Sequence, residues 1–231
     1  MKQYIKYIKC ISALLLFFLS SLFKYIPAML FKLDLNNIST TTQVYLSTFS
    51  NVTCFTILVL MYRKDIINGV KDIIKKKGKP LLDGFNYWFI GLMIMVLSNT
   101  ILSSISSIGT SSNEAQIRIL LESSWVSILS IAIISPIIEE LIWRQSIYDV
   151  CKNKWAYLFS SGIIFGALHV FTSPITSIID VLYLIPYCSM GIAFAYTQYK
   201  TKNIIPSITL HIIHNSLNVV STLLFTGMII W

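Results

Sequence analysis

Long apolar runs alternate with short polar or basic intervals along nearly the whole chain. The first run, Ile11 to Phe23, follows Lys2, Lys6 and Lys9 and leads into Lys24-Tyr25-Ile26-Pro27 rather than a small-residue cleavage site, so an uncleaved first span is expected. The polar stretch Asp34 to Gln43 introduces a second run, Val44 to Met61. Between Arg63 and Lys79, lysines alternate with Ile66, Ile67, Val70, Ile73 and Ile74 at helical spacing, which predicts a basic amphipathic helix on the membrane surface. A third span is expected from Tyr87 to Ser107, then a polar turn, Gly109 to Gln116. A fourth helix should begin near Ile117 and run past Arg144 to about Cys151, closed by the turn Lys152-Asn153-Lys154. The fifth span, Trp155 to Phe171, ends before a break at Pro174; the sixth runs from Ile178 to Tyr199 and the seventh from Ile208 to Trp231. A helix needs about 20 residues to cross a bilayer. The pattern therefore predicts an all-α integral membrane protein: a bundle of about seven transmembrane helices enclosing a polar cavity.

Composition agrees and narrows the class. Only 12% of the 231 residues are charged, whereas soluble domains carry about 25%. The net charge of +8 lies in short loops between apolar runs, the signature of cytoplasmic loops rather than of a nucleic-acid-binding surface. With seven spans, the N-terminus, the 62–79 loop, the 152–154 turn and the 200–202 turn share one side, leaving Lys32 and Arg118 on the other. That predicts a multi-pass cell-membrane protein with its N-terminus cytoplasmic and its C-terminus outside. Cys10, Cys54, Cys151 and Cys188 are scattered with no CxxC, so free thiols are expected. No repeat or long linker divides the chain, and residues 1–231 read as one polytopic domain.

The candidate chemistry stands at the end of the apolar run Trp125 to Ile138, where Glu139, Glu140 and Arg144 follow Ser135-Pro136. An ionisable residue within a membrane segment is a functional-site hypothesis by default. On an α-helix Glu140 and Arg144 are i,i+4 neighbours able to pair, while Glu139 is turned away by about 100° and needs another partner. The three histidines, His169, His211 and His214, lie on later helices that could supply it. At about 1.5 Å per residue, Glu139 and His169 both stand roughly 20 Å from the Lys152–Lys154 turn, a matched depth that suits an acid–base pair. His211 and Asn215, with His214, Asn218, Ser207 and Thr222, form a polar stripe on the last helix. Measured from Lys202, His211 is only about 13 Å deep, shallower than Glu139.

In this order, Glu139-Glu140-x-x-x-Arg144, Phe165-x-x-x-His169 and His211-x-x-x-Asn215 resemble the CAAX protease and bacteriocin-processing family of intramembrane glutamate-dependent endopeptidases. The likeness is confined to residues 135–215, and Trp143 and Gln145 depart from the common pattern of phenylalanine and glycine at those places. The resemblance implies that Glu139 activates water, with His169 helping to hold it. It implies that Glu140 assists, paired with Arg144, and that His211 and Asn215 form an oxyanion site. Peptide hydrolysis needs these parts: a base for water and donors aimed at the developing oxyanion. The expected substrate is a peptide or a membrane protein within the lipid bilayer, with no cofactor and no nucleic acid.

Other readings remain open on sequence. The Glu–Arg group could be a structural ion network, and His169, His211, His214 and Asn215 could be interhelical hydrogen-bonding glue. Three histidines and two glutamates could bind zinc in a metalloprotease, although HExxH is absent. A non-catalytic immunity or regulatory protein could share the fold. A proton-coupled transporter would be expected to show repeated halves, which the sequence lacks.

Overall fold

The structure is a computed structural model that describes residues 2–105, 111–172, 175 and 177–225. Among the described residues eight helices follow one another: α1 Gln3–Leu30, α2 Thr40–Lys75, α3 Lys79–Ile105, α4 Ser112–Ser123, α5 Val126–Val150, α6 Lys154–Val170, α7 Ile178–Thr201 and α8 Ile204–Phe225. No strand occurs among the described residues. Six helices, α1, α2, α3, α5, α7 and α8, are long and apolar enough to cross a membrane. The expected fifth span is α6, whose 17 residues place it at the short end of transmembrane helices. The turn at Gly109, the break at Pro174 and the end of the last span at Trp231 lie outside the described residues.

Two boundaries differ from the sequence pattern. The 63–79 segment is not a separate surface helix: α2 continues without a break through 36 residues to Lys75, carrying the basic face on its last turns. The fourth helix does not begin near Ile117. Ser124 is extended (φ −168°, ψ 136°) and separates the short α4 from α5, which starts at Val126. Ser123 and Ser124 bond neighbouring backbone groups in place of helix continuation.

Helix α5 is the axis of the fold. Over half of its apolar window (56%) is buried, against 11% for α1, so the other helices are arranged around it. Its Ile134, Ile138, Leu141, Ile142 and Trp143 pack with Ala13 of α1, Cys54, Leu58 and Tyr62 of α2, and Ile204 and Ile208 of α8. Outward apolar side chains such as Phe18, Leu97 and Ile163 are exposed, as lipid-facing positions would be. Helices α6 and α7 meet through small residues: a Cβ added at Gly191 would stand 2.9 Å from the Cα of Gly162. Such backbone approach drives helix association where lipid is as apolar as leucine. It also brings Tyr187 and Phe194 of α7 beside Phe165 and His169 of α6.

Candidate active site

Helix α5 is not a regular α-helix around Glu139 and Glu140. Ser130–Ile134 and Glu140–Ser146 are π-helical, flanking a short α-helical stretch, Ser135–Glu139. Such widened turns occur in α-helices frequently at functional sites. Pro136 supplies a local reason for the first. In the wider register the Ser135 N–H bonds the Ser130 carbonyl, so the Ile131 carbonyl would look to residue 136, where proline has no N–H. The Asn215 side chain donates to that carbonyl at 3.0 Å. A backbone group freed in a membrane helix is thus met by a neighbouring helix.

Glu140 begins the second π-helical stretch and is fully buried. Its Oε1 lies 3.3 Å from Arg144 Nη1 and accepts the Nδ1–H of His211 at 2.8 Å; its Oε2 accepts the Ser207 hydroxyl at 2.5 Å. Arg144 is equally buried, donates to the Gly191 carbonyl at 3.3 Å, and lays its guanidinium over Phe165 at 4.4 Å and Phe194 at 5.5 Å. Charge is met by charge and the cationic plane by aromatic faces, while Nη2 alone of the guanidinium nitrogens reaches a carbonyl and Nε stays without a hydrogen-bond partner. Both Glu140 oxygens thus have protein partners, drawn from α5 and α8.

Glu139 is placed differently. Its side chain keeps 20% of its surface exposed, yet Oε2 is buried and bonded to no protein donor. The nearest basic group is His211 Nε2, 3.8 Å away. One imidazole therefore links the two carboxylates: Nδ1 is fixed by Glu140, and Nε2 is turned toward Glu139. The ring is held flat against Phe194, with centroids 4.5 Å apart and planes inclined by 20°. The shallow depth inferred for His211 from Lys202 does not keep it from the glutamates.

His169 packs in a neighbouring aromatic cluster rather than on Glu139. Its Nδ1–H donates to the Phe165 carbonyl at 2.8 Å, and its ring meets Phe165 at 4.2 Å and stacks on Tyr187 at 4.9 Å. Phe165 joins the halves, because the same ring meets His211 at 5.7 Å and carries the Arg144 guanidinium. His169 lines a cavity of about 120 Å³ with Asn99, Asn113, His214, Asn215 and Asn218, whose lining includes neither Glu139 nor His211. His214 receives the Asn218 amide at 3.3 Å and packs on Trp88 and Phe194. The expected set is thus in two parts: Glu139, Glu140, Arg144 and His211 around one imidazole, and His169 and Asn215 on the cavity. Among the described residues, no three His, Cys, Asp or Glu side chains are gathered as metal ligands.

Three participants escaped the sequence reading. Ser207 was visible only as part of a polar stripe, and its bond to Glu140 depends on how α8 meets α5. Tyr187 and Phe194 sit in the apolar run of α7 and carry no signal of their own. Gln145, a departure from the family pattern, is satisfied by a chain of amides: its Oε1 accepts from Gln198 at 2.8 Å, whose own Oε1 accepts from the Tyr157 hydroxyl at 2.9 Å.

Comparison with known proteins bears on this region. The family model described as "Rce1-like: Type II CAAX prenyl endopeptidase Rce1-like" matches residues 121–217, which contain every residue of the Glu139–His211 constellation. The chain is 28% identical over 185 residues to the Bacillus subtilis (strain 168) protein named "Putative membrane peptidase YdiL", covering 77% of this chain and 71% of the relative. It is 27% identical over 144 residues to "UPF0177 protein YxdF" of Lactococcus lactis subsp. lactis (strain IL1403), covering 57% of this chain and 72% of the relative. No solved structure matches. The resemblance to the CAAX protease and bacteriocin-processing family is borne out.

Proposed function

We propose that this multi-pass membrane protein of the CAAX protease and bacteriocin-processing family is an intramembrane peptidase that hydrolyses a peptide bond with Glu139 as general base. A membrane protease of this broad type is what the family match and the named peptidase relative support. The observation that carries the finer reading is the asymmetry of two adjacent carboxylates. Glu140 is bonded on every side, while Glu139 keeps a buried oxygen without a protein donor, 3.8 Å from His211 Nε2. That separation suits a water bridging the two groups.

In this scheme Glu139 takes a proton from the water as its oxygen attacks the scissile carbonyl. His211 offers Nε2 as the donor to the oxyanion as it develops. Glu140 holds the ring through Nδ1, so the donor is oriented before charge appears. The Asn215 amide spends one hydrogen on Ile131 and has a second to offer the same oxyanion. On collapse the carbon–nitrogen bond breaks, and the proton held by Glu139 passes to the leaving amine. Every step uses a side chain of this chain and water, and none requires a cofactor.

The proposed substrate is a peptide or membrane-protein segment within the bilayer. The basic turns would face the cytoplasm, with the N-terminus there and the C-terminus outside. The test is cleavage of a quenched fluorescent peptide library by the detergent-purified protein and by Glu139→Gln, each with and without chelator. Cleavage that survives chelation and disappears in the variant supports the reading. Loss on chelation with recovery on adding Zn²⁺ points to a metalloprotease, and equal cleavage by both proteins rejects Glu139 as the base.

A further inference from the structure

We propose that Tyr187 is a positioning residue for His169 and that the first turn of α4 holds Tyr187 in place, so that the cover of the polar cavity and its imidazole move together. The catalytic part of this proposal rests on the peptidase reading above.

Tyr187 lies on α7 with its ring stacked on His169, centroids 4.9 Å apart and planes inclined by 25°. His169 is tied at Nδ1 only to the carbonyl of Phe165, one turn back on its own helix. That bond sets which nitrogen carries the proton but leaves the ring free to swing about it. The rings of Phe165 and Tyr187 supply the lateral restraint. For stacking alone phenylalanine would serve; a tyrosine at an apolar position brings a hydroxyl that needs a partner.

The partners come from α4. The Tyr187 hydroxyl lies 2.9 Å from Ser111 Oγ and receives the Asn113 amide at 3.2 Å. Ser111 is itself the N-cap of α4, accepting the Glu114 N–H at 3.2 Å, so one hydroxyl starts the helix and meets the phenol. Along the rest of α4, Ile119 and Leu120 are exposed, while Leu121 packs with Ala132 and Val219 and the Thr41 hydroxyl donates to the Ser123 carbonyl. Yet Ser111, Asn113, Glu114 and Ile117 line the cavity beside His169 and Asn215. The segment that covers the cavity is therefore fastened to the residue that steadies its histidine.

The experiment uses the full chain in nanodiscs, with Tyr187→Phe and Tyr187→Leu. It reads three quantities: hydrogen exchange across 111–117, the ring-proton shifts of labelled His169, and kcat and KM on a cleaved peptide. Tyr187→Phe, which keeps the ring and removes the fastening, should speed exchange across 111–117 and move the His169 shift and kcat part of the way toward their values in Tyr187→Leu. Tyr187→Leu should lose the ring-current shift and lower kcat about tenfold at nearly constant KM, since small misplacements of a catalytic group cost rate. Unchanged exchange in Tyr187→Phe overturns the fastening, and wild-type kcat in Tyr187→Leu overturns the positioning. If the wild type shows no Glu139-dependent cleavage, the peptidase reading fails and the kcat comparison falls with it. The exchange and ring-shift readings then decide the fastening and the stack on their own.

Discussion

His211 hydrogen-bonds Glu140 through Nδ1 at 2.8 Å while its Nε2 faces Glu139 at 3.8 Å, so a single imidazole lies between a carboxylate bonded through both oxygens and one whose Oε2 has no protein donor. The two glutamates are adjacent in the chain, but their environments differ. Glu140 meets Arg144, His211 and Ser207 at full burial; Glu139 is partly exposed and lacks a protein donor on Oε2.

Glu140→Gln should destabilise the fold. Removing one partner of a buried ion pair leaves the other charge uncompensated, at a cost of about 3–5 kcal/mol. Thermal unfolding in detergent should show a large drop in midpoint, and Arg144→Met alone should do similar damage. Glu140→Gln combined with Arg144→Met should recover part of the loss, because the surviving charge is then gone. A double variant as unstable as the two losses added would contradict the pairing.

Ser207→Ala should weaken the fold less, by about 1.5–3 kcal/mol, the range for a hydrogen bond to a charged group. Unfolding measured beside Ser216→Ala, a half-buried serine on the same helix, checks it. Equal, small effects from the two substitutions would remove Ser207 from the carboxylate's support.

Asn215 and Pro136 should be coupled. Asn215→Ala strands the Ile131 carbonyl, costing about 1–3 kcal/mol. Pro136→Ala restores a backbone N–H at the position that the π-helical register directs to that carbonyl. The double variant should therefore be more stable than the sum of the single effects allows, and a double-mutant cycle reads the difference. Strict additivity would show that the asparagine does not stand in for the missing N–H.

The proposed orientation places the turn holding Cys151 on the cytoplasmic side. In whole cells a membrane-impermeant maleimide should fail to label Cys151 in a Cys188→Ser background, and should label it once the membrane is opened. Cys10 and Cys54 are buried and should stay silent. Labelling of intact cells at Cys151 would reverse the topology.

Much of this was legible in the sequence. Carboxylates at the end of an apolar run announced α5, and the spacing of Glu140 and Arg144 foretold a pair that forms at 3.3 Å. What the pattern could not give was the helix register. Spacing alone implies a regular 3.6-residue turn through Glu139 and Arg144, but Pro136 and the two π-helical stretches change how neighbouring side chains are aimed. Matched depth along helices brought Glu139 and His169 to one level without saying that rings of Phe165 and Tyr187 would claim the histidine. Depth is a one-dimensional coordinate, and lateral placement is set by which helices touch. The close approach of Gly162 and Gly191 that seats α7 against α6 has no periodic signature. Nor did hydropathy reveal the break at Ser124, where a serine pair ends α4 before the apolar run resumes.

The most direct test of the central claim measures folding and cleavage together in Glu139→Gln. The account predicts a thermal midpoint at or slightly above that of the wild type, because a carboxylate oxygen lacking a protein donor adds little to the fold, together with loss of chelator-resistant peptide cleavage. A Glu139→Gln protein that cleaves as well as the wild type would contradict the assignment of the base. So would one that loses activity only because it no longer folds, since the two glutamates would then share the structural work assigned here to Glu140 alone.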